Sequence, residues 1–172
     1  MKQMSGAERQ DVIEKAMDLA RHYQRTYGGC PQVVLAAIRE TLGGVGDDVF
    51  QAATGLAGGV GRTGRACGAL TGGVMALSCF WGRPYDDFED SGDRRALCIA
   101  MSRRLAEKFL AEYGSEDCHG IHKKLMGRAY DLNDPEQAQE YARAGGHDVH
   151  CPSVCANSAR WVIEILAEEG LI

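Results

Sequence analysis

The richest concentration of reactive side chains lies near the C-terminus, in the segment GGHDVHCPSVC at residues 145–155. It carries His147 and His150 beside Cys151, and Cys155 follows four residues after Cys151. Residues four apart share one face of a helix, so both thiols could act at the same place. Thiolate and imidazole bind soft and borderline metals, and a thiol pair can also exchange disulfides. The segment therefore predicts metal binding or thiol redox chemistry at the start of a helix.

The expected cellular compartment decides how the seven cysteines of the 172-residue chain are interpreted. The polar N-terminal stretch MKQMSGAERQ lacks the apolar core of a secretory signal, and the most apolar run, residues 67–82, is short for a membrane span. We therefore expect a cytoplasmic protein without a membrane span, in which lasting disulfides are rare. High cysteine use in that compartment favours metal binding or thiol chemistry over structural disulfides.

Charge and motif content exclude several classes of function. The 19 basic and 24 acidic residues give a net charge of −5, and no basic stripe with interleaved aromatic residues occurs, so nucleic acid binding is not expected. The chain has neither a G-x-S-x-G nor an H-E-x-x-H motif, and it has no spaced carboxylate pair typical of hydrolases. The residues leave open whether the protein is an enzyme.

Helices must position this chemistry, because apolar residues recur at helical spacing and no stretch alternates as a strand does. Glycine pairs and capping residues divide the chain into segments. The predicted helices span residues 6–29, 30–44, 47–59, 67–81, 93–114, 115–127, 134–146 and 151–169. We predict one all-α domain over residues 1–172, a compact bundle of about seven to eight helices, with Ser115 capping the sixth helix.

Four cysteines fall at predicted helix starts. Cys30 and Cys151 are each followed by proline, which favours the first helical position and would make the cysteine the N-cap residue. Cys67 and Cys118 lie in or beside the first turn of their helices. Free backbone N–H groups and the helix dipole stabilise thiolate there, so we expect lowered thiol pKa values.

Two further cysteines lie in helix interiors. Cys79 and Cys98 have large apolar neighbours such as Phe80 and Ile99. Free cysteine commonly fills core space as a small hydrophobic residue. We expect these two thiols to have a packing role.

The predicted helix at residues 67–81 carries a small-residue face formed by Gly68, Gly72 and Ala76. Such a face lets another helix approach closely, at a cost in helix propensity. The neighbouring helix could belong to the same chain or to a second copy, so the sequence allows a homodimer. Alternatively, Gly68 leaves room for a cofactor beside Cys67.

The glycine-rich loop before that helix contains the spelling G-x-G-x-x-G at Gly59, Gly61 and Gly64. A dinucleotide fingerprint needs a preceding strand and a βαβ unit, and a helical segment precedes the loop here, so nucleotide binding is not expected. Glycine lets the backbone approach a bound group closely. We therefore predict cofactor contacts at these three glycines and at Gly68, with Arg62 facing an anion or a negatively charged cluster.

These motifs resemble those of the C_GCAxxG_C_C family, which is named for its cysteine pattern and described as redox-active. CGALTG at residues 67–72 matches the family's C-G-A-x-x-G motif, and residues 28–38, 113–121 and 145–166 are similar to the segments with its other cysteines. The resemblance implies that the functional cysteines are Cys30, Cys67, Cys118 and either Cys151 or Cys155.

The family resemblance also connects the chain to split-Soret cytochromes, in which a related module resembles an iron–sulfur carrier. The chain has no C-x-x-C-H motif, so covalent haem attachment is not expected. We therefore expect an iron–sulfur cluster and electron transfer with an unidentified redox partner protein. The candidate metal ligands are Cys30, Cys67, Cys118, Cys151, Cys155, His147 and His150, and these two histidines rank above His119 and His122.

Two alternatives stay open at this point. A thiol–disulfide oxidoreductase would use Cys151 and Cys155 as its exchanging pair. A structural zinc-binding interaction module would use the same soft ligands without redox chemistry.

Overall fold

The computed structural model describes residues 3–172, and within them eight α-helices form the all-α bundle that the sequence predicts. They are α1 (Gly6–Thr26), α2 (Cys30–Leu42), α3 (Asp47–Ala52), α4 (Gly68–Trp81), α5 (Arg94–Tyr113), α6 (Cys118–Met126), α7 (Pro135–Arg143) and α8 (Cys151–Glu168). Short helical turns cover Thr54–Leu56, Tyr85–Asp87 and Gly146–His150. Within this part of the chain, no helix combines the length and the apolar character needed to cross a bilayer.

Helix α8 lies at the centre of the bundle, because it packs against α1, α2, α4 and α5. Its buried side chains include Trp161, Ile163 and Leu166. Each such side chain stabilises the fold by roughly 1.5–3 kcal/mol when it leaves water. Helices α2 and α4 pack against each other beside α8, so the core holds the starts of all three helices in place.

The small-residue face of α4 is used within the chain. A Cβ atom on Gly72 would lie 2.4 Å from the carbonyl oxygen of Pro31 in α2, and one on Gly73 would lie 2.7 Å from Ser158 Oγ in α8. Ser158 Oγ donates a hydrogen bond to the carbonyl oxygen of Ala69 at 2.7 Å. Glycine therefore lets α4 fit between α2 and α8, and this face does not need a second copy of the chain.

Several predicted helix boundaries were wrong, including the ends of α1 and α7, which lie at Thr26 and Arg143 rather than at residues 29 and 146. Helix α3 ends at Ala52 rather than at residue 59, because the segment 54–66 folds back on itself through its own backbone hydrogen bonds. Helix α6 begins at Cys118 with Asp117 as its N-cap, rather than at Ser115. The Ser115 hydroxyl instead accepts a hydrogen bond from the Asp117 N–H at 3.0 Å.

Candidate thiol site

Five cysteine side chains meet in one small pocket where α2, α4, α6 and α8 begin. The cavity between them is about 20 Å³, which is room for one water-sized group. The pocket is lined by Cys30, Cys67, Cys118, Cys151, Cys155, His122, Ala69, Ile121 and Val154. The structure thus brings together all five cysteines that the sequence put forward as ligands. We call this group the thiol pocket.

Four of these thiols lie at helix starts, as predicted, and Cys155 lies one turn further along α8, but the capping residues differ from the prediction. Helix α2 begins at Cys30 with Gly29 as N-cap, and α8 begins at Cys151 with His150 as N-cap. The prediction that these cysteines are N-caps was therefore wrong. A π-helical turn leads directly into α8, and the Cys151 N–H already donates to the carbonyl oxygen of Gly146.

Backbone hydrogen bonds hold Cys67 beside Cys118. Cys67, the N-cap of α4, donates its N–H to the carbonyl oxygen of Glu116 at 2.9 Å. The Cys118 N–H donates to the carbonyl oxygen of Arg65 at 2.7 Å. These two bonds flank an isolated antiparallel bridge between Ala66 and Asp117. The amide at the start of α6 is therefore bonded to a carbonyl and does not face a sulfur.

The glycine-rich loop is packed against the chain's own atoms at Gly59 and Gly64. A Cβ atom on Gly64 would lie 2.2 Å from the His119 ring, and one on Gly59 would lie 2.5 Å from the backbone nitrogen of Arg65. The Gly64 carbonyl oxygen also accepts the His119 N–H at 3.0 Å. Glycine at these two positions allows the loop to close on the start of α6.

Of the residues that we predicted to contact a cofactor, Gly68 is the one that lies beside a pocket thiol. Its Cβ atom would lie 2.7 Å from Cys30 Sγ. Gly61 and Arg62 lie on the exposed side of the loop, and the Arg62 guanidinium lies 3.5 Å from the carbonyl oxygen of Leu132. The cofactor contacts of the loop glycines and of Arg62 stay predictions.

The structure places His122 in the thiol pocket, whereas His147 and His150 are not among the residues that line it. His122 is 2% exposed, and its Nε2 lies 3.6 Å from Cys118 Sγ. Its Nδ1 is buried and has no hydrogen-bond partner within the described residues. His147 and His150 lie on the π-helical turn before α8, and metal binding by them stays a prediction. The four-residue spacing of Cys118 and His122 was the available signal, because it puts both on one helix face.

Two polar residues that the sequence did not single out contact pocket sulfurs. The Tyr141 hydroxyl donates a hydrogen bond to Cys151 Sγ at 3.0 Å, and its ring lies 5.1 Å from the His122 ring. Cys155 Sγ donates to Gln24 Oε1 at 3.6 Å. Both contacts arise from the way helices pack, so residue spacing within the sequence carries no sign of them.

Burial raises the pKa of every pocket thiol, which is opposite to the predicted lowering. The backbone N–H groups of Gly58 and Gly68 lower the pKa of Cys30, but burial raises it more. The pKa of Cys151 rises to about 12 through burial, although the Tyr141 hydroxyl opposes the rise. A negative charge on neighbouring thiolates raises the pKa of Cys67 further. Loss of hydration thus outweighs the helix starts, and the free thiols are protonated at neutral pH.

The model of the family described as "Putative redox-active protein (C_GCAxxG_C_C)" matches residues 28–165. The chain belongs to the C_GCAxxG_C_C family. The match includes every cysteine of the thiol pocket, and the family is described as redox-active. Comparisons with curated proteins and with solved structures gave no match.

The thiol pocket of this C_GCAxxG_C_C protein gathers thiol and imidazole groups, which are the donor types that soft and borderline metals prefer. No three His, Cys, Asp or Glu side chains within residues 3–172 are arranged to hold one metal ion. Zn–S bonds of about 2.3 Å require the sulfurs to gather tightly around one centre. A cluster binds its thiolates through separate irons and so spreads them further apart. The cavity of about 20 Å³ is smaller than such a cluster, so the lining side chains would have to move apart for one to bind.

Proposed function

We propose that the protein holds an iron–sulfur cluster in the thiol pocket and transfers electrons to and from a partner protein. The observation that carries this proposal is the convergence of five thiol side chains from the first turns of four helices on one small, largely apolar pocket. Burial keeps the thiols protonated, so they need a bound cation to become thiolates. Membership of a family described as redox-active supports the same conclusion.

The contacts of the two α8 thiols indicate which of them is the fourth ligand. Cys151 Sγ accepts a hydrogen bond from Tyr141, an arrangement that favours a thiolate. Cys155 is fully buried, and its S–H donates to Gln24 Oε1, an arrangement that favours a protonated thiol. We therefore propose Cys30, Cys67, Cys118 and Cys151 as the ligands, with Cys155 as a fifth thiol that stays protonated.

The chain's own residues would shape the chemistry of the site. A bound iron–sulfur cluster supplies a reversible redox couple. The apolar side chains of Ala69, Ile121 and Val154 keep water from the sulfurs. The Tyr141 hydroxyl stabilises negative charge on Cys151 Sγ and so favours the reduced state. The proposal also places the protein in the cytoplasm, where its seven free thiols would not form disulfides.

The thiol–disulfide alternative has less support. Cys151 and Cys155 do share the pocket, as their spacing predicts. The attacking species in disulfide exchange is the thiolate, however, and a pKa of about 12 leaves only about one Cys151 in 100,000 ionised at pH 7. A free thiol in this environment is therefore a slow nucleophile.

Iron and sulfide analysis of anaerobically purified protein tests the proposal. We expect visible absorbance and stoichiometric iron and sulfide in the wild type, in Cys155→Ser and in the control Cys79→Ser. Cys67→Ser and Cys151→Ser should lose most of both. A wild-type protein that stays colourless and iron-free after anaerobic reconstitution would contradict the proposal. Tight zinc without colour, with unfolding on chelation, would establish the structural alternative instead.

A further inference from the structure

A second cavity, about 390 Å³ in volume, lies on the surface between α1, α2 and α3. Its aromatic walls are Tyr23, Tyr27 and Phe50, and Glu40 and Gln32 supply its polar atoms. The volume is within the usual range of small-molecule sites. We call this cavity the tyrosine groove. No pocket cysteine lines it, so its occupant is a separate question from the cluster.

The aromatic side chains of the tyrosine groove are arranged to bind a positive charge. Tyr23 lies in the last turn of α1 and Tyr27 is the C-cap residue of that helix, with ring centroids 5.8 Å apart and ring planes tilted by 41°. A cation lying over both rings can be within about 6 Å of the two centroids, which is the range of cation–π attraction. Tyr27 is 76% exposed, so it forms an open rim through which a ligand can enter.

The polar atoms of the tyrosine groove are mainly acceptors. The Tyr23 hydroxyl donates to Glu40 Oε1 at 2.7 Å, which fixes a carboxylate at the edge of the ring. A hydrogen bond to a carboxylate also enriches the ring in electrons and strengthens its attraction for cations. The amide nitrogen of Gln32 donates to the carbonyl oxygen of Phe50 at 3.1 Å, which leaves the Gln32 amide oxygen as an acceptor. Among the described residues that line the groove, there is no lysine or arginine.

We propose that the tyrosine groove binds a small organic cation of the alkylammonium type. The aromatic rings would hold the cation by their faces, and the Glu40 carboxylate would offset its charge. An anion would meet a carboxylate and no cationic side chain, so the groove discriminates by charge. This binding site lies beyond the proposed electron transfer and does not depend on it.

Titration with choline and with 3,3-dimethylbutan-1-ol, followed by two-dimensional NMR, tests the charge requirement. The two probes have the same shape and differ in a quaternary nitrogen against a quaternary carbon. We expect saturable shifts around Tyr23, Tyr27 and Phe50, and a roughly tenfold higher affinity for choline. Equal affinities, shifts outside the groove, or no saturable shift with choline would overturn the proposal.

Variants distinguish choline binding in the tyrosine groove from nonspecific binding elsewhere on the surface. Tyr27→Leu and Glu40→Gln should each weaken choline binding about threefold to tenfold, because each removes one source of attraction. Tyr85→Leu is the matched control, because Tyr85 is 95% exposed and lines a different cavity. Equal weakening in the control would overturn the assignment. The iron content of these variants should equal that of the wild type, so failure of the groove and failure of the cluster are distinguishable.

Discussion

The five cysteines of the thiol pocket lie in different surroundings from the two interior cysteines, Cys79 and Cys98. The pocket cysteines are carried by helix starts and face one another. Cys79 lies about 18 Å along α4 from Cys67. Cys98 lies in α5 with its sulfur 3.3 Å from Ser78 Oγ. Both interior thiols are half-buried and pack against the core, which agrees with the packing role that we predicted for them.

This contrast shows that backbone context decides whether thiols can gather. A side chain in the middle of a helix contacts a neighbouring helix only if it lies on the stripe that faces that helix. A helix start is reached by loops and by other helix starts. In the thiol pocket, glycine at position 68 leaves the space that Cys30 Sγ occupies, because any Cβ there would overlap this sulfur.

Alkylation rates of the metal-free protein should separate the two groups most strongly. A rise in pKa from 9.0 to about 12 lowers the thiolate fraction of Cys151 about a thousandfold at neutral pH. We expect iodoacetamide to modify Cys98 first and the pocket thiols last, as measured by peptide mass spectrometry under native conditions. A pocket cysteine that reacts as fast as Cys98 would contradict this difference between the two groups of thiols and would support disulfide exchange as the function.

The pH dependence of unfolding should sharpen the comparison, because the thiol pocket also buries a histidine. Burial lowers the pKa of His122 to about 4 from an ordinary 6.5, so the metal-free folded state disfavours the proton that the unfolded state accepts. The contribution of His122 to the free energy of unfolding should therefore be constant above about pH 6.5 and should fall as the pH drops towards 4, by at most about 3 kcal/mol.

Urea unfolding at several pH values measures this effect. His122→Leu should lose that part of the pH dependence, whereas His22→Gln, at an exposed position on α1, should retain it. Identical pH profiles for the wild type and His122→Leu would mean that His122 titrates normally in the folded protein.

Substitution of Gly72 should have the smallest of these effects and tests how the pocket is closed. A Cβ there would lie 2.6 Å from Pro31 Cα, so Gly72→Ala must push α2 away from α4. The overlap costs about 1–3 kcal/mol, against a gain of about 1 kcal/mol in helix propensity. We expect a net loss of about 1 kcal/mol in urea unfolding and faster alkylation of Cys30. Gly55→Ala, which has open space, should show neither; a Gly72→Ala protein as stable as the wild type would rule out close packing there.

The helices and the identity of the pocket cysteines could be predicted from the sequence, because both depend on local signals. Apolar spacing and glycine pairs mark most helix boundaries, and the CGAxxG motif marks the start of α4. The thiol pKa values could not be predicted, since their direction depends on burial that only the assembled bundle creates. Tyr141 and Gln24 were missed for the same reason: they reach the sulfurs across helix contacts.

The bridge between Ala66 and Asp117 has a consequence for how freely this chain can vary. The separation of Cys67 and Cys118 is maintained by peptide groups, and peptide groups are the same in nearly every residue. Side chains at 65, 66, 116 and 117 can therefore change without removing either of these backbone hydrogen bonds. The two donating N–H groups belong to Cys67 and Cys118 themselves, so a substitution at a neighbouring position removes neither donor, and proline would remove one only by replacing a pocket cysteine.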